Sequence, residues 1–578
     1  MSISLSAFTE ELRDLYANGA LYEPYVAQFK TADELCMIKA SAAARQPQRF
    51  KEDVRNGIPF RALFIDQNYA QAAYLHEEIK FYELLMINAA DGEMPGGVDF
   101  VWINDDVESC ELAKEFKRNA ALLEKSCIGT SSPKPCCLVI LDPFLCSFSV
   151  ERSLLFETPA ESPVAALSSA ISSIKPGSLE TWNHAINSFN KSMASNDTAP
   201  FDTREILLLE QAHETSSIKY SCWLPTDFYV NRSGSVTIRS YVNNLHPVQH
   251  AGLYECISKA FAKFVPLLEQ VATDVLHTPK PRTVFDQEDW YIPGMIHPDA
   301  IIEMVKQGNP VPEEYRQFVT SSSAYCYGGQ GNITLRVNDT ELDMTALFKA
   351  WEAVMSDAKH YTPPFVIPDR PIAPYSVCGM SLQASVEMVT INLTPEHPRV
   401  FKNRWRAVGR AEERIFAIGL YFYDVENIGS ARIMFLDPVA GKEFNDSYEM
   451  QKFCSVLKIR GDTTRKCEYS QEIGSVEIES GRYVCYPNLY KTAMPHFSLA
   501  DPTKPGHVKF IAFYIADPTT RLVSTEIVPP QQPSWAKTNE PGDNGITCKE
   551  AEELRLAHAN HSYNVEQRFK ACLAVRED

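Results

Sequence analysis

Apolar positions in the first part of the chain recur at helical spacing. Phe8, Leu12, Leu15 and Tyr16 share one face of a short amphipathic segment that Gly19 stops. Ala73, Leu75, Ile79, Tyr82, Leu85 and Met86 repeat near the same period over 70–90. Leu138-Val-Ile-Leu141, bounded by Pro135 and Asp142-Pro143, predicts a buried strand. Residues 155–202, rich in Ser, Ala and Pro, predict a surface loop. Alternation over Ser233 to Tyr241 predicts a hairpin strand, and Leu253 to Leu276 a helix interrupted at Pro266. The proline-rich stretches 278–300 and 358–375 predict extended connectors.

From about 380 onward the pattern turns to strands. These are Val386 to Leu393, Arg414 to Tyr423, Ala431 to Leu436, Ser475 to Ile478, Arg482 to Tyr486 and Val508 to Ile515. The second of them is apolar on both faces. Short strands separated by turn signals in a segment of this size predict a sandwich or barrel. Lys549 to Leu573 has the period and composition of a helix. The fold class is therefore α+β. It divides into a mainly helical region 1–135, a mixed α/β region 136–375 whose helices pack on the barrel, a strand domain 376–540 and a C-terminal helix 541–578.

Composition narrows the function classes. A chain of 578 residues is too long for one hydrophobic core. With 55 basic and 74 acidic residues it carries a net charge of −19, which repels phosphate backbones. The locally basic run Arg399 to Arg414 has no interleaved aromatic stacking positions, so nucleic acid is not an expected partner. The 15 cysteines are scattered without a CxxC spacing, which gives zinc no support. The first residues have neither the basic nor the apolar region of a signal peptide, and no run approaches the ~20 apolar residues of a membrane span. A cytoplasmic protein with reduced cysteines is expected. No G-x-S-x-G, P-loop, Rossmann or HExxH pattern occurs, and no internal repeat.

Several stretches carry a family resemblance. They are Trp405 to Asn427 (WRAVGRAEERIFAIGLYFYDVEN), Gly481 to Asn488 (GRYVCYPN), Leu499 to Pro518 (LADPTKPGHVKFIAFYIADP), and Val528 to Gln532 with Trp535. Upstream, Trp223-Leu-Pro225 and Ser240 to Pro247 match as well. In this order, over about residues 140 to 540, the chain resembles a fungal family of unknown function. The C-terminal half of that family is similar to the jelly roll of iron(II)/2-oxoglutarate oxygenases. The resemblance implies a double-stranded β-helix, cupin-like core.

It also implies where iron chemistry would sit. Iron(II) in such a site needs two imidazoles and a carboxylate on one face, with a basic residue anchoring 2-oxoglutarate. The family's Trp-His-Val-Glu-Gly stands here as Trp405-Arg406-Ala407-Val408-Gly409. The distal histidine position is Thr492, and the position of the arginine after Pro505-Gly506-His507 is Val508. Arginine cannot deprotonate to ligate a metal, and valine has no lone pair. No metal and no cofactor are therefore expected.

What remains is a pocket suited to an apolar small molecule. The reaction class it can serve needs no redox cofactor: a cyclisation, an isomerisation or a pericyclic addition of the Diels–Alder type. The resemblance points to fungal specialised metabolism. Arg406 is the candidate donor that polarises a carbonyl. Tyr421, Lys491, Thr492 and His496 are the other candidate catalytic residues. Trp405, Val408, Tyr423, Tyr490 and Val508 are candidates to line the pocket. A non-catalytic binding protein and an oxygenase with unrecognised ligands stay open as alternatives.

Overall fold

The computed structural model describes residues 85, 93–96, 98–105, 110–127, 137–150, 152–171, 178–195, 204–208, 221–277, 298–310, 316, 319–320, 334–337, 340–343, 370–400, 405, 408–439, 469–532, 535, 549–553 and 555. The helices expected over 8–16 and 70–90 lie outside them, apart from Leu85, as does most of the expected C-terminal helix.

In chain order the elements begin with β1 (Glu93–Pro95), β2 (Trp102–Asp105), α1 (Cys110–Cys127), β3 (Cys137–Leu141), β4 (Phe148–Ser149) and α2 (Leu179–Ser195). Next come β5 (Ser221–Cys222), β6 (Thr226–Val230), β7 (Val236–Ile238), α3 (Ala251–Leu276), α4 (Pro298–Lys306), β8 (Val319–Thr320), β9 (Thr334–Val337) and β10 (Thr340–Asp343). The last are β11 (Ser381–Leu393), β12 (Arg399–Val400), β13 (Ile415–Glu426), β14 (Arg432–Val439), β15 (Tyr469–Glu477), β16 (Arg482–Pro487), β17 (Lys491–Ala493), β18 (Phe497–Ser498) and β19 (Gly506–Ala516).

A large sheet runs β1-β2-β16-β13-β19-β11-β6-β7, with β3 also on β11, and every ladder in it is antiparallel. A smaller antiparallel sheet runs β15-β14-β17. Side chains alternate across a strand, so a run that is apolar throughout needs cover on both faces. β13 has it. Ala417, Tyr421 and Tyr423 pack with α1 and α3 through Phe116, Phe261 and Phe264. Ile418, Leu420 and Phe422 pack with Ile433, Phe435 and Ile473 of the smaller sheet. The architecture is mixed α/β, with helices on one face of the large sheet and a second sheet on the other.

A register shift lies between Tyr421 and Asp424 where β13 meets β19. It turns Tyr423 and Asp424 together toward α1, where Phe116 stacks on Tyr423 at 5.2 Å and Lys117 meets Asp424 at 2.8 Å. Farther along the same helix Glu124 receives Thr390 Oγ1 at 2.8 Å and pairs with Lys509 at 3.1 Å.

Three expectations change. The segment 155–202 is not all loop, because Leu179–Ser195 is helical. Its Ser and Asn residues hide an i, i+4 apolar pair: Trp182 and Ile186 are fully buried, and Trp182 Nε1 donates to Val150 O at 2.8 Å. α3 runs through Pro266 without interruption. Burial of Phe261 and Phe264 before the proline and of Leu267, Leu268 and Val271 after it outweighs its cost of ~3 kcal/mol. Pro298–Lys306, whose first residues fall in an expected connector, is helical.

A buried polar network pins the β6 edge to the segment after β19. Asp227 accepts from Gln383 Nε2 at 3.0 Å and from Ser240 Oγ at 2.9 Å, and Ser240 Oγ lies 2.6 Å from Thr525 Oγ1. Burial, helped by the Glu526 carboxylate, pushes the Asp227 carboxyl up to about 7 from its ordinary 3.8. The native state then holds a proton between these values that the unfolded chain has released. This contribution to stability is complete below the ordinary value and is lost as pH rises through about 7. Urea midpoints taken at pH 5 and pH 8 should drop more steeply for the native sequence than for Asp227→Asn. Equal slopes would show that the carboxyl does not titrate in this window.

Candidate functional site

Four of the expected positions, Trp405, Val408, Tyr490 and Thr492, lie toward one end of the space between the two sheets. There β13 begins, β16 ends and β17 crosses the smaller sheet. Asn488, one residue past β16, donates through Nδ2 to Val408 O at 2.9 Å and to Ile415 O at 3.3 Å. Val408 thereby packs, half-buried, against the inter-sheet core. Gly409 permits the turn: its φ is +74°, and a Cβ there would stand 2.3 Å from Ile415 Cδ1.

Trp405 packs on Leu436, and Thr492 sits opposite Phe435 in the β14–β17 ladder. Thr492 shares a hydrogen bond with the Tyr486 hydroxyl, whose ionisation burial raises well above the ordinary range. Tyr490 is buried, donates to Asp99 O at 2.9 Å and stacks on Phe100. Phe435 joins the group edge-on to Tyr486 at 5.1 Å.

The other expected residues stand apart. Tyr421 and Tyr423 lie on the opposite face of the large sheet, under the helices. Tyr421 stacks on Tyr483 at 4.0 Å, and Tyr423 stacks on Phe116 at 5.2 Å. Neither touches the inter-sheet space, which corrects their placement in the pocket. The reason is the face assignment of β13, which puts Phe422 inward. Val508 does face the inter-sheet core, but toward the other end. It pairs with Ile391 and Val425, six positions along β19 from Tyr514, which is registered on Ile418. At ~3.3 Å per residue this is ~20 Å from the Val408 end. Lys491 is half-buried opposite Leu436, and His496 is exposed between β17 and β18. Arg406 lies outside the described residues.

Beside Val408 lies a cluster that the sequence motifs do not announce. Glu413 is 6% exposed, and its two carboxylate oxygens accept from two backbone amides, one local and one distant. Trp223 N–H reaches Oε1 at 3.1 Å, and Arg410 N–H reaches Oε2 at 2.7 Å. Burial raises the Glu413 carboxyl above its ordinary range, against the pull of these amides and of the Arg410 guanidinium. Trp223 lies between Phe144, edge-on at 5.0 Å, and Tyr514, tilted at 4.8 Å. The Tyr514 hydroxyl donates to Glu387. Cys222 adjoins the group, and burial pushes its thiol up to about 12, which makes it an unreactive neighbour. Only the motif Trp223-Leu-Pro225 and the acidic Glu412-Glu413 pair hinted at these residues.

The donor chemistry at the expected iron positions does not fit the metal. Val408 and Val508 offer no lone pair, and Thr492 shares its hydroxyl with Tyr486. Among the described residues one group, Asp424, Glu426 and His507, has its ligand atoms within 4.8 Å of one another. It lies on the helix-covered face, on the far side of the sheet from Val408. Asp424 is already engaged by Lys117 and by His507 Nε2, each at 2.8 Å. Burial draws its carboxyl upward, but these two partners prevail and hold it below the ordinary range.

The fold and this site define a mixed α/β protein built on antiparallel sheets, with an inter-sheet end rich in aromatic rings and poor in metal ligands. The chain belongs to the DUF4246 family, described as a protein of unknown function, whose model matches residues 70–539. No curated protein matches it. Among solved structures it is similar to IDO from Bacillus thuringiensis, at 7% identity and a TM-score of 0.15, over 30% of this chain and 57% of that one. It is also similar to the Fe(II)/α-ketoglutarate-dependent dioxygenase TqaL, at 10% identity and a TM-score of 0.14, over 29% of this chain and 53% of the other. The chain thus spans little more than half the length of either. Among the described residues no helix is long and apolar enough to cross a membrane.

Proposed function

We propose that this chain is a metal-independent small-molecule enzyme on a jelly-roll scaffold, holding an apolar substrate at the Val408 end of the inter-sheet space and steering a redox-neutral cyclisation or isomerisation. One observation carries the reading. The positions that the sequence resemblance marks for ligands hold Val408 and Val508 packed with the apolar core and a Thr492 beside the Tyr486 hydroxyl. Such a site orders a ligand by shape. Holding two reacting groups in a near-attack geometry supplies up to ~7–11 kcal/mol of a barrier without a metal. A pericyclic addition of the Diels–Alder type is the clearest example of a reaction that needs nothing more. Trp405 and Tyr490 are the aromatic walls in this reading, with Lys491 and His496 at the rim as proton carriers.

The test is anaerobic equilibration of the full chain with iron(II) and 2-oxoglutarate. Metal content is measured alongside visible absorption. Expected are a metal content well below one per chain and no absorption band that depends on 2-oxoglutarate. The variant His507→Gln, run in parallel, accounts for ions held on the outer face. Stoichiometric iron with a 2-oxoglutarate-dependent band in both proteins would overturn the reading.

A further inference from the structure

The Glu413 carboxylate holds the backbone of Arg410, three residues before it, and of Trp223, 190 positions away, and both residues carry buried donors. Trp223 is 5% exposed, and its Nε1 has no hydrogen-bond partner among the described residues. Arg410 Nε and Nη1 are likewise buried without a hydrogen bond. Arg410 Nε stands 3.4 Å from Glu412 Oε2 as an ion pair only. The charge of the guanidinium is also felt at the thiol of Cys222, the residue preceding Trp223. Donors buried without an acceptor are costly, and a charged one more so. Three such donors on the two residues that one carboxylate holds, where the buried indoles of Trp102 and Trp182 both donate, point to an acceptor that arrives from outside.

The surroundings select the acceptor. Glu412 and Glu413 already set two carboxylates against the one Arg410 guanidinium, so a further anion would be repelled. The walls are the rings of Phe144, Trp223 and Tyr514. A neutral carbonyl oxygen on an apolar body satisfies both conditions: it accepts from an indole and a guanidinium without adding charge, and its body packs on aromatic faces.

We propose that Trp223 and Arg410 form a carbonyl-binding subsite for an apolar ketone, lactone or amide. This deepens the reading of the Val408 end as the ligand end and rests on it. It also places the polarising donors at Trp223 and Arg410, where the sequence alone suggested Arg406. A carbonyl held by these two donors is polarised as charge develops on its oxygen.

The probes are acetophenone, ethylbenzene and benzoate: a neutral carbonyl, the same shape without it, and an anion. The full chain has seven tryptophans, so a spectrum of the protein labelled at the indole nitrogens resolves each N–H. Trp223→Phe identifies its resonance, and Tyr514→Phe, which keeps the neighbouring ring, identifies it if the first variant does not fold. Acetophenone should move the Trp223 resonance saturably, and its carbonyl stretch should fall in frequency on binding. Ethylbenzene and benzoate should bind about tenfold more weakly or worse, and Arg410→Gln should weaken acetophenone by about tenfold. A Trp223 resonance unmoved by acetophenone, as when water already satisfies these donors, overturns the proposal. Equal affinity for ethylbenzene, or an unchanged affinity in Arg410→Gln, does so too. The iron experiment decides the metal-independent reading separately, so failure here leaves that result standing.

Discussion

Asp274→Ala is expected to destabilise the protein by about 3–5 kcal/mol, the cost of breaking a buried ion pair by removing one partner. Asp274 lies near the end of α3, and its side chain and that of Arg370 are 9% and 8% exposed. Its Oδ2 accepts from Trp102 Nε1 at 2.6 Å, and its Oδ1 accepts from Arg370 Nε. Arg370 also donates to Gln270, which in turn donates to Glu93, and its guanidinium lies over the Trp102 ring. The network therefore ties β1, β2 and α3 to the chain leading into β11. Alanine leaves a guanidinium and an indole N–H buried without their acceptor. Asp274→Asn keeps an oxygen for one of them and should lose less. Urea midpoints with their slopes measure both, and a loss below about 1 kcal/mol for alanine would show that water enters and satisfies Arg370.

The second large effect concerns the helix-covered core. Phe264→Ala should cost about 3–5 kcal/mol. Phe264 is fully buried, edge-on to Tyr483 at 5.1 Å and to Phe513 at 5.4 Å. The ring fits because β13 carries Gly419 beneath it, where a Cβ would stand 2.9 Å from two ring carbons. Gly419→Ala alone should overpack this spot and cost about 1–3 kcal/mol. Since the alanine methyl then occupies space that the ring has vacated, the double variant should lose less than the sum of the two. Simple additivity in the denaturation cycle would mean that Phe264 shifts away from the sheet without strain.

The comparison of sequence and structure turns on particular elements. β11, β13, β16 and β19 were legible because each is a long apolar run bounded by turn residues. The same property hid their faces. A run that is apolar on both sides carries no alternation to say which residues point where, so Tyr421 and Tyr423 were expected to line the pocket, whereas Phe422 is the residue between them that faces the inter-sheet core. β1 and β2 have three and four residues and include Glu93, Asn104 and Asp105, so no periodic signal exists to read. Val408, Thr492 and Val508 were singled out only through the family resemblance. The Glu413 clamp was hinted at only by its flanking motifs, because Trp223 lies 190 residues from Glu413 and the meaning of the contact depends on burial.

The order of strands in the large sheet has a consequence for how the chain is made. β2 and β16 are neighbours, joined by Arg482 and Asp105 across 377 residues of sequence. At about 5–20 residues per second, an emerging chain waits roughly 20–75 s between the synthesis of β2 and that of its partner. During that interval Trp102 can already meet Asp274 of α3, but one edge of β2 and the α1 surface that later covers β13 wait for their native partners. The sheet closes only near the end of translation. The early strands therefore depend on being held apart from other chains, and brevity together with the polar Asn104 and Asp105 in β2 serves that need before the fold exists.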